Sequence, residues 1–201
     1  MIYVEYISRR PGVTLADFHA AVETGQEGWD ATYQEDHLIW SAGRTWRLGP
    51  APEYLGVWYS PHADFERIDD WERIFRGGEA EIHENVFRKV ATIEAAGCYR
   101  PLREPVRARG QTYYVEYFRP GTDSNQTSRF FEERARRHAG FTLNLLVERI
   151  GRLAPEPGGI AVWSIPTFAA LASIASELDG LREPIELVAA GTYADVGQEI
   201  L

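Results

Sequence analysis

The residues best suited to proton chemistry are two glutamates in matching surroundings. Glu5 lies within Tyr3-Val4-Glu5-Tyr6 and Glu116 within Tyr114-Val115-Glu116-Tyr117. Both stretches alternate like half-buried strands, so Tyr3 and Glu5 share one sheet face, and Tyr114 and Glu116 share another. A carboxyl drawn into apolar surroundings loses hydration of its charged form, and its pKa rises towards neutrality, where it can exchange a proton. Trp58 and Trp163 also stand at matching positions and would wall a cavity beside these carboxyls. Arg44 and Arg149 could bind an anionic substrate. The structural alternative uses the same residues differently: the glutamates pair with Arg44 and Arg149 or with tyrosine hydroxyls, and the tryptophans are core.

Other chemistry is thinly represented. His83 has Glu79 one turn earlier on an expected helix, a spacing open to a metal or haem-facing ligand or to a simple surface pair. His19, His37, His62 and His138 are isolated in sequence and read as surface or helix-end residues. Cys98 reads as a small buried strand residue, and Lys89, the only lysine, as surface. No G-x-G-x-x-G follows a strand, and no G-x-x-x-x-G-K-[ST], H-E-x-x-H or C-x-x-C occurs. Nucleotide-dependent and dedicated zinc chemistry are therefore not expected, and no cofactor is assigned.

These residues come in pairs because the chain repeats itself. Tyr3 to Tyr6 with Arg10-Pro11-Gly12 returns as Tyr114 to Tyr117 with Arg119-Pro120-Gly121. Arg44 and Arg149, Arg47 and Arg152, Trp58 and Trp163, and Pro61 and Pro166 are each 105 residues apart. Ala95-Ala96-Gly97-Cys98-Tyr99 matches Ala189-Ala190-Gly191-Thr192-Tyr193 at a spacing of 94, so the second copy is shorter by about one helix. The expected units are 1–101 and 111–201, joined by a charged, proline-containing linker over 102–110.

Each unit reads as strand, helix, strand, strand, helix, strand. In the first, residues 2–8 form a strand, and Thr14-Leu15-Ala16-Asp17 resembles a capping box opening a helix with Leu15, Phe18 and Val22 on one side. Residues 37–47 and 54–60 are strand-like around Gly49-Pro50-Ala51-Pro52. A helix follows with Phe65, Ile68, Trp71 and Phe75 in register, then a second with Ile82, Val86 and Val90, and a closing strand over 92–99. In the second unit Phe168, Leu171, Ile174 and Leu178 form the later helix stripe. This order is the ferredoxin-like βαββαβ unit, an antiparallel sheet with helices over one face. Leaving the other face in water would expose large apolar residues, so the two sheets should pack against each other. Taking Val4, Val115, Val57 and Val162 as helix-facing places Glu5, Glu116, both tryptophans, Tyr3 and Tyr114 around one cavity between the sheets.

This tandem ferredoxin-like pattern, an α+β fold, resembles the dimeric α/β-barrel superfamily, with two units in one chain. The opening Met1-Ile2-Tyr3-Val4-Glu5-Tyr6 with Arg10-Pro11-Gly12 is similar to its NIPSNAP-type branch. The resemblance implies a range of activities: cofactor-free monooxygenases, lactone isomerases, polyketide cyclases and haem-using enzymes all share the superfamily.

Composition narrows the partner. The chain has 201 residues, 44% hydrophobic and 25% charged, with 21 basic and 30 acidic residues. A net charge of −9 argues against a nucleic-acid backbone as partner. One cysteine permits no internal disulfide, and no long apolar run is present, so a cytoplasmic, non-membrane protein is expected, as a monomer or homo-oligomer. The functional expectation is a small-molecule-binding protein acting as a cofactor-independent enzyme on a small, partly aromatic metabolite. Glu5 and Glu116 are its candidate catalytic groups, and Tyr3, Tyr114, Trp58, Trp163, Arg44 and Arg149 its candidate substrate contacts. The alternatives are a non-catalytic binding or stress-related NIPSNAP-like module, and a haem or metal protein using His83.

Overall fold

The computed structural model describes residues 1–32, 37–45, 51–60, 81–106, 112–178 and 184–195. The first repeat gives β1 (Ile2–Arg9), α1 (Leu15–Thr32), β2 (His37–Arg44), β3 (Tyr54–Tyr59), α2 (Glu81–Val90) and β4 (Ala91–Pro101). The second gives β5 (Thr112–Pro120), α3 (Ser124–Arg137), β6 (Thr142–Arg149), β7 (Gly159–Ile165), a 3-10 turn (Phe168–Leu171) running into α4 (Ala172–Leu178), and β8 (Ile185–Asp195). The expected helix carrying Phe65, Ile68, Trp71 and Phe75 lies outside the described residues, as do His62 and residues 107–110 of the linker.

Local signals account for the helix starts. The Thr14 hydroxyl accepts from the Asp17 backbone N–H at 3.1 Å, the N-cap half of the expected box, and donates to the Asp17 carboxylate at 2.6 Å, so that carboxylate meets the hydroxyl and not the Thr14 backbone. Asp123 caps α3 by accepting from the Asn125 N–H at 2.9 Å.

Within each repeat the strands order as the ferredoxin-like unit demands, and the two sheets then join at both edges. The result is a closed eight-stranded barrel, β1-β3-β2-β8-β5-β7-β6-β4. One seam pairs Ala42, Gly43 and Arg44 of β2 with Asp195, Ala194 and Tyr193 of β8, extended by the Thr45 N–H donating to the Thr192 carbonyl at 2.8 Å. The other pairs Tyr99 with Arg149 and is reinforced where the β6–β7 loop laps over β4, the Cys98 N–H donating to the Leu153 carbonyl at 2.9 Å. Closure removes the free sheet edges that would invite another chain.

The interior is one core drawn from both repeats: Ile2, Val4, Tyr6, Val57 and Tyr99 meet Val115, Tyr117, Val147, Val162 and Tyr193. Four tyrosines form its polar centre. Tyr6 and Tyr99 share a hydroxyl–hydroxyl bond of 2.6 Å, Tyr117 and Tyr193 one of 3.0 Å, and the Tyr193 hydroxyl also reaches the Pro52 carbonyl at 2.9 Å. Separate layers cover the outside: Ile7, Phe18, Tyr54 and Phe87 in the first repeat, and Phe118, Phe131, Trp163 and Ile174 in the second. All seven residues of β7 are buried, because one face meets the barrel interior and the other the helices.

This placement corrects the expected parity. Val4, Val57, Val115 and Val162 face the interior, and Tyr114 and Trp163 belong to the outer layer of the second repeat. An eight-stranded barrel has an interior just wide enough for side chains to fill, and here the valines pack it around paired tyrosines whose hydroxyls satisfy one another. The alternate set, with its carboxyls and indoles, finds partners only under the helices. The shared cavity between the sheets is therefore replaced by two separate locations, one outside each half of the barrel.

Candidate functional site

In the first repeat, β1 and β3 bring Glu5 opposite Gly56, with Trp58 two residues on. The indole Nε1 of Trp58 donates to Glu5 Oε2 at 3.0 Å. Among the described residues this is Glu5's hydrogen bond; Oε1 has none, and no arginine or lysine pairs with the carboxyl. A Cβ at Gly56 would stand 3.1 Å from Glu5 Oε2, so glycine here makes room for the carboxyl. Glu5, Trp58, Gly56, Ser41, Phe18 and Gly25 line a partly open cavity of about 30 Å³, together with Ile7, Val22, Tyr54 and Phe87. That void holds one or two water molecules. Burial pushes the Glu5 carboxyl up to about 7, against a smaller lowering by the Trp58 bond.

The second repeat keeps the carboxyl and the indole but closes the space. Trp163 Nε1 donates to Glu116 Oε2 at 2.9 Å. Arg134 of α3 then grips Glu116 with both ends of its fork, Nη1 to Oε2 and Nη2 to Oε1, each at 2.9 Å. Its guanidinium carbon lies 5.5 Å from the ring centres of Phe130 and Trp163 and 5.8 Å from that of Phe131. Glu116 is 0% exposed and Arg134 2%. Burial works against the guanidinium charge, but the combined attraction of Glu116 and Glu177 holds the Arg134 pKa above its ordinary value.

The difference between the halves is written in a few positions. Arg134 stands eleven residues after the cap Asp123, and eleven residues after the cap Thr14 stands Gly25. Opposite the glutamates, Gly56 corresponds to Ala161; opposite those, Ser41 corresponds to Leu146. In each pair the first repeat has the smaller residue. Together these substitutions open a cavity where the second repeat has packed side chains.

The other expected site residues fall elsewhere. Tyr3 lies beside Glu5 on the same strand face, its hydroxyl pKa raised by burial and then by the Glu5 charge, but it does not line the cavity. Tyr114 is buried beside Glu116, its pKa raised for the same two reasons. Arg44 and Arg149 stand at the barrel seams, opposite Tyr193 and Tyr99, with their side chains held inside their own halves: Arg44 Nη1 donates to the Ala51 carbonyl, and Arg149 pairs with Glu156. They are not the glutamates' partners, because they stand at the strand ends that form the seams, away from the helix-covered faces. Cys98 is buried, and burial raises its thiol pKa. His138 ends α3 and bonds Glu177 at 2.7 Å. The side chain of His83 lies outside the described residues, and among those described no group of three or more His, Cys, Asp and Glu could hold a metal ion. The residue that sequence reasoning missed is Arg134, together with its counterpart Gly25; aligning the helices from their caps would have revealed the contrast.

No protein-family model and no curated protein matches this sequence. Solved structures match its shape over nearly the whole chain. A provisionally named chlorite dismutase, TA0507, superposes with a TM-score of 0.55 at 12% identity, covering 98% of this chain and 95% of that one. An arginine variant of chlorite dismutase from Candidatus Nitrospira defluvii gives 0.55 at 8% identity, covering 98% and 92%. A tryptophan variant of the same enzyme also gives 0.55 at 8%, with the same coverage. At these identities the likeness is one of architecture, and the chain has the dimeric α/β-barrel fold, closed within a single polypeptide.

Proposed function

We propose that this protein binds a small molecule in the cavity of its first repeat, and that Glu5 exchanges a proton there in cofactor-independent chemistry of the monooxygenase, isomerase or cyclase kind. The observation that carries this reading is the contrast between two equivalent carboxyls. Glu116 is ion-paired and sealed, whereas Glu5 is half-buried, pushed up to about 7 by burial, and lines an apolar cavity. Chemically, an ionised Glu5 accepts a proton from an acidic C–H or O–H at the head of the ligand. Trp58 holds one carboxylate oxygen and leaves Oε1 as the basic atom, and the aromatic wall limits competing water. Glu116 is assigned a structural role. The fold of the chlorite dismutases is compatible with an enzyme, but fold alone assigns no reaction. The alternative reading, a haem or metal protein using His83, turns on a side chain outside the described residues.

We also read the chain as one unit duplicated in tandem, 1–101 and 111–201 joined by 102–110, with the NIPSNAP-type branch as its sequence likeness. The three matched sequence blocks and the identical strand order of the halves support this.

A ligand-observed NMR screen of small aromatic and carbonyl compounds, run on the wild type and on Gly25→Leu, tests the site. Binders should be lost when the cavity is filled, and a bound substrate should turn over at least about 100-fold more slowly with Glu5→Gln. Compounds bound equally by both proteins would move the site elsewhere. Binding without any Glu5-dependent turnover would leave a binding module rather than an enzyme.

A further inference from the structure

The two repeats are two versions of one arrangement, and the second is complete within itself. There, a strand glutamate receives an indole N–H on one oxygen and a planar guanidinium fork across both, with the cation set against aromatic rings. The first repeat keeps the strand glutamate, the indole donor and an aromatic wall of Phe18, Tyr54 and Phe87, but has Gly25 where the arginine would stand. Its cavity is bounded by Glu5 and Gly25, the residues matched to the two ends of the Glu116–Arg134 bridge. Resting on the reading of this cavity as the ligand site, and not on proton exchange by Glu5, we propose that it takes a small organic cation with a planar, N–H-bearing head, a guanidinium or amidinium, which Glu5 receives as a counter-ion, as Glu116 receives Arg134.

Three further observations agree. Glu5 Oε1 has no hydrogen-bond partner among the described residues, while Oε2 is held by Trp58; a fork donating to both oxygens completes the pattern seen at Glu116. The wall is aromatic, and ring faces attract a desolvated cation as Phe130 and Trp163 attract Arg134. Residues 1–101 carry 17 acidic and 10 basic side chains, a field that draws cations towards this half. The void of about 30 Å³ admits a head group rather than a bulky body, so the ligand is a small free molecule with its tail towards the open side. When Glu5 arrives protonated, its proton passes to solvent as the cation docks, and the carboxylate balances the guanidinium charge.

Isothermal titration with methylguanidinium chloride, at ionic strength matched with sodium chloride, reads this directly. Saturable one-to-one binding is expected, with partial proton release visible in buffers of different ionisation enthalpy. Affinity should fall about tenfold or more in Glu5→Gln and vanish in Gly25→Arg, which installs the guanidinium on the chain. N-methylurea, which lacks the charge, and tetramethylammonium, which lacks the N–H donors, should bind far less. Should Gly25→Arg not fold, a carbon-13 titration of wild-type Glu5 gives the same answer: saturating methylguanidinium should lower its pKa from about 7. No saturable binding to the wild type, or equal binding to Glu5→Gln, overturns the inference. If methylguanidinium fails while neutral fragments still occupy the cavity, the ligand class is wrong and the site stands; if neither occupies it, both fall.

Discussion

At the scale of single residues, the same amino acid in the same strand register does two different things. Glu116 is clamped by Arg134 and Trp163, so its charge is compensated inside the protein. Glu5 has Trp58 alone among the described residues, and burial then favours its neutral form. The consequence for stability has a definite sign. Below its ordinary value of 4.5, Glu5 is protonated both folded and unfolded and has no effect. Between 4.5 and about 7 the unfolded carboxyl ionises while the folded one keeps its proton, so stability falls as pH rises and levels off above 7. With Glu5→Gln this penalty disappears. Urea unfolding should show the variant gaining on the wild type by up to about 3 kcal/mol between pH 4.5 and 8. A difference that does not change with pH would show that Glu5 titrates normally. The sequence revealed the paired glutamates, tryptophans and tyrosines, because each lies in a matched block. It did not reveal their partners, since Arg134 lies 18 residues from Glu116 on a helix outside every block.

At the scale of elements, the contrast becomes one between two helices. Residues along α3 present Thr127, Phe131 and Arg134 to the sheet, and α1 presents Phe18, Ala21 and Gly25. The start of α1 was legible: Thr14 with Asp17 was expected as a capping box, and the Thr14 hydroxyl does accept from the Asp17 N–H, while the Asp17 carboxylate returns to that hydroxyl and not to the backbone. What the stripe of Leu15, Phe18 and Val22 could not say is that the covering helix stops filling its space at Gly25. The α3 joint depends on a buried ion pair, and such pairs are costly to break on one side only. Arg134→Met should therefore lose about 3–5 kcal/mol of stability, leaving Glu116 buried without its cation, and adding Glu116→Leu should recover most of that loss. Chemical denaturation of the single and double variants checks this. A double variant no better than the single one would mean that the joint is held by the aromatic packing around Arg134 rather than by charge.

At the scale of the whole molecule, the halves are not independent. Val4, Tyr6, Val57 and Tyr99 lie in one core with Val115, Tyr117, Val162 and Tyr193, and both sheet edges are consumed by the opposite repeat. A fragment of residues 1–101 or 102–201 would expose that core and two strand edges. Neither fragment should therefore behave as a folded monomer, and mixing them should restore a one-to-one complex, as read by gel filtration and tyrosine fluorescence. A stable, monomeric, native-like half would contradict the shared core. The sequence by itself determined the matched blocks, the order of elements and which residues travel together on a strand face, because these are local properties of spacing and alternation. Only the tertiary structure decided which face turned inward. A period of two is unchanged when a strand is turned over, and both alternate sets carry apolar residues, Val4 with Tyr6 in one and Tyr3 with Ile7 in the other. Barrel closure settled that choice, because the closed interior takes the valines and the mutually bonded tyrosines and leaves the carboxyls to whatever the covering helix supplies: an arginine in one half, and a glycine beside an open cavity in the other.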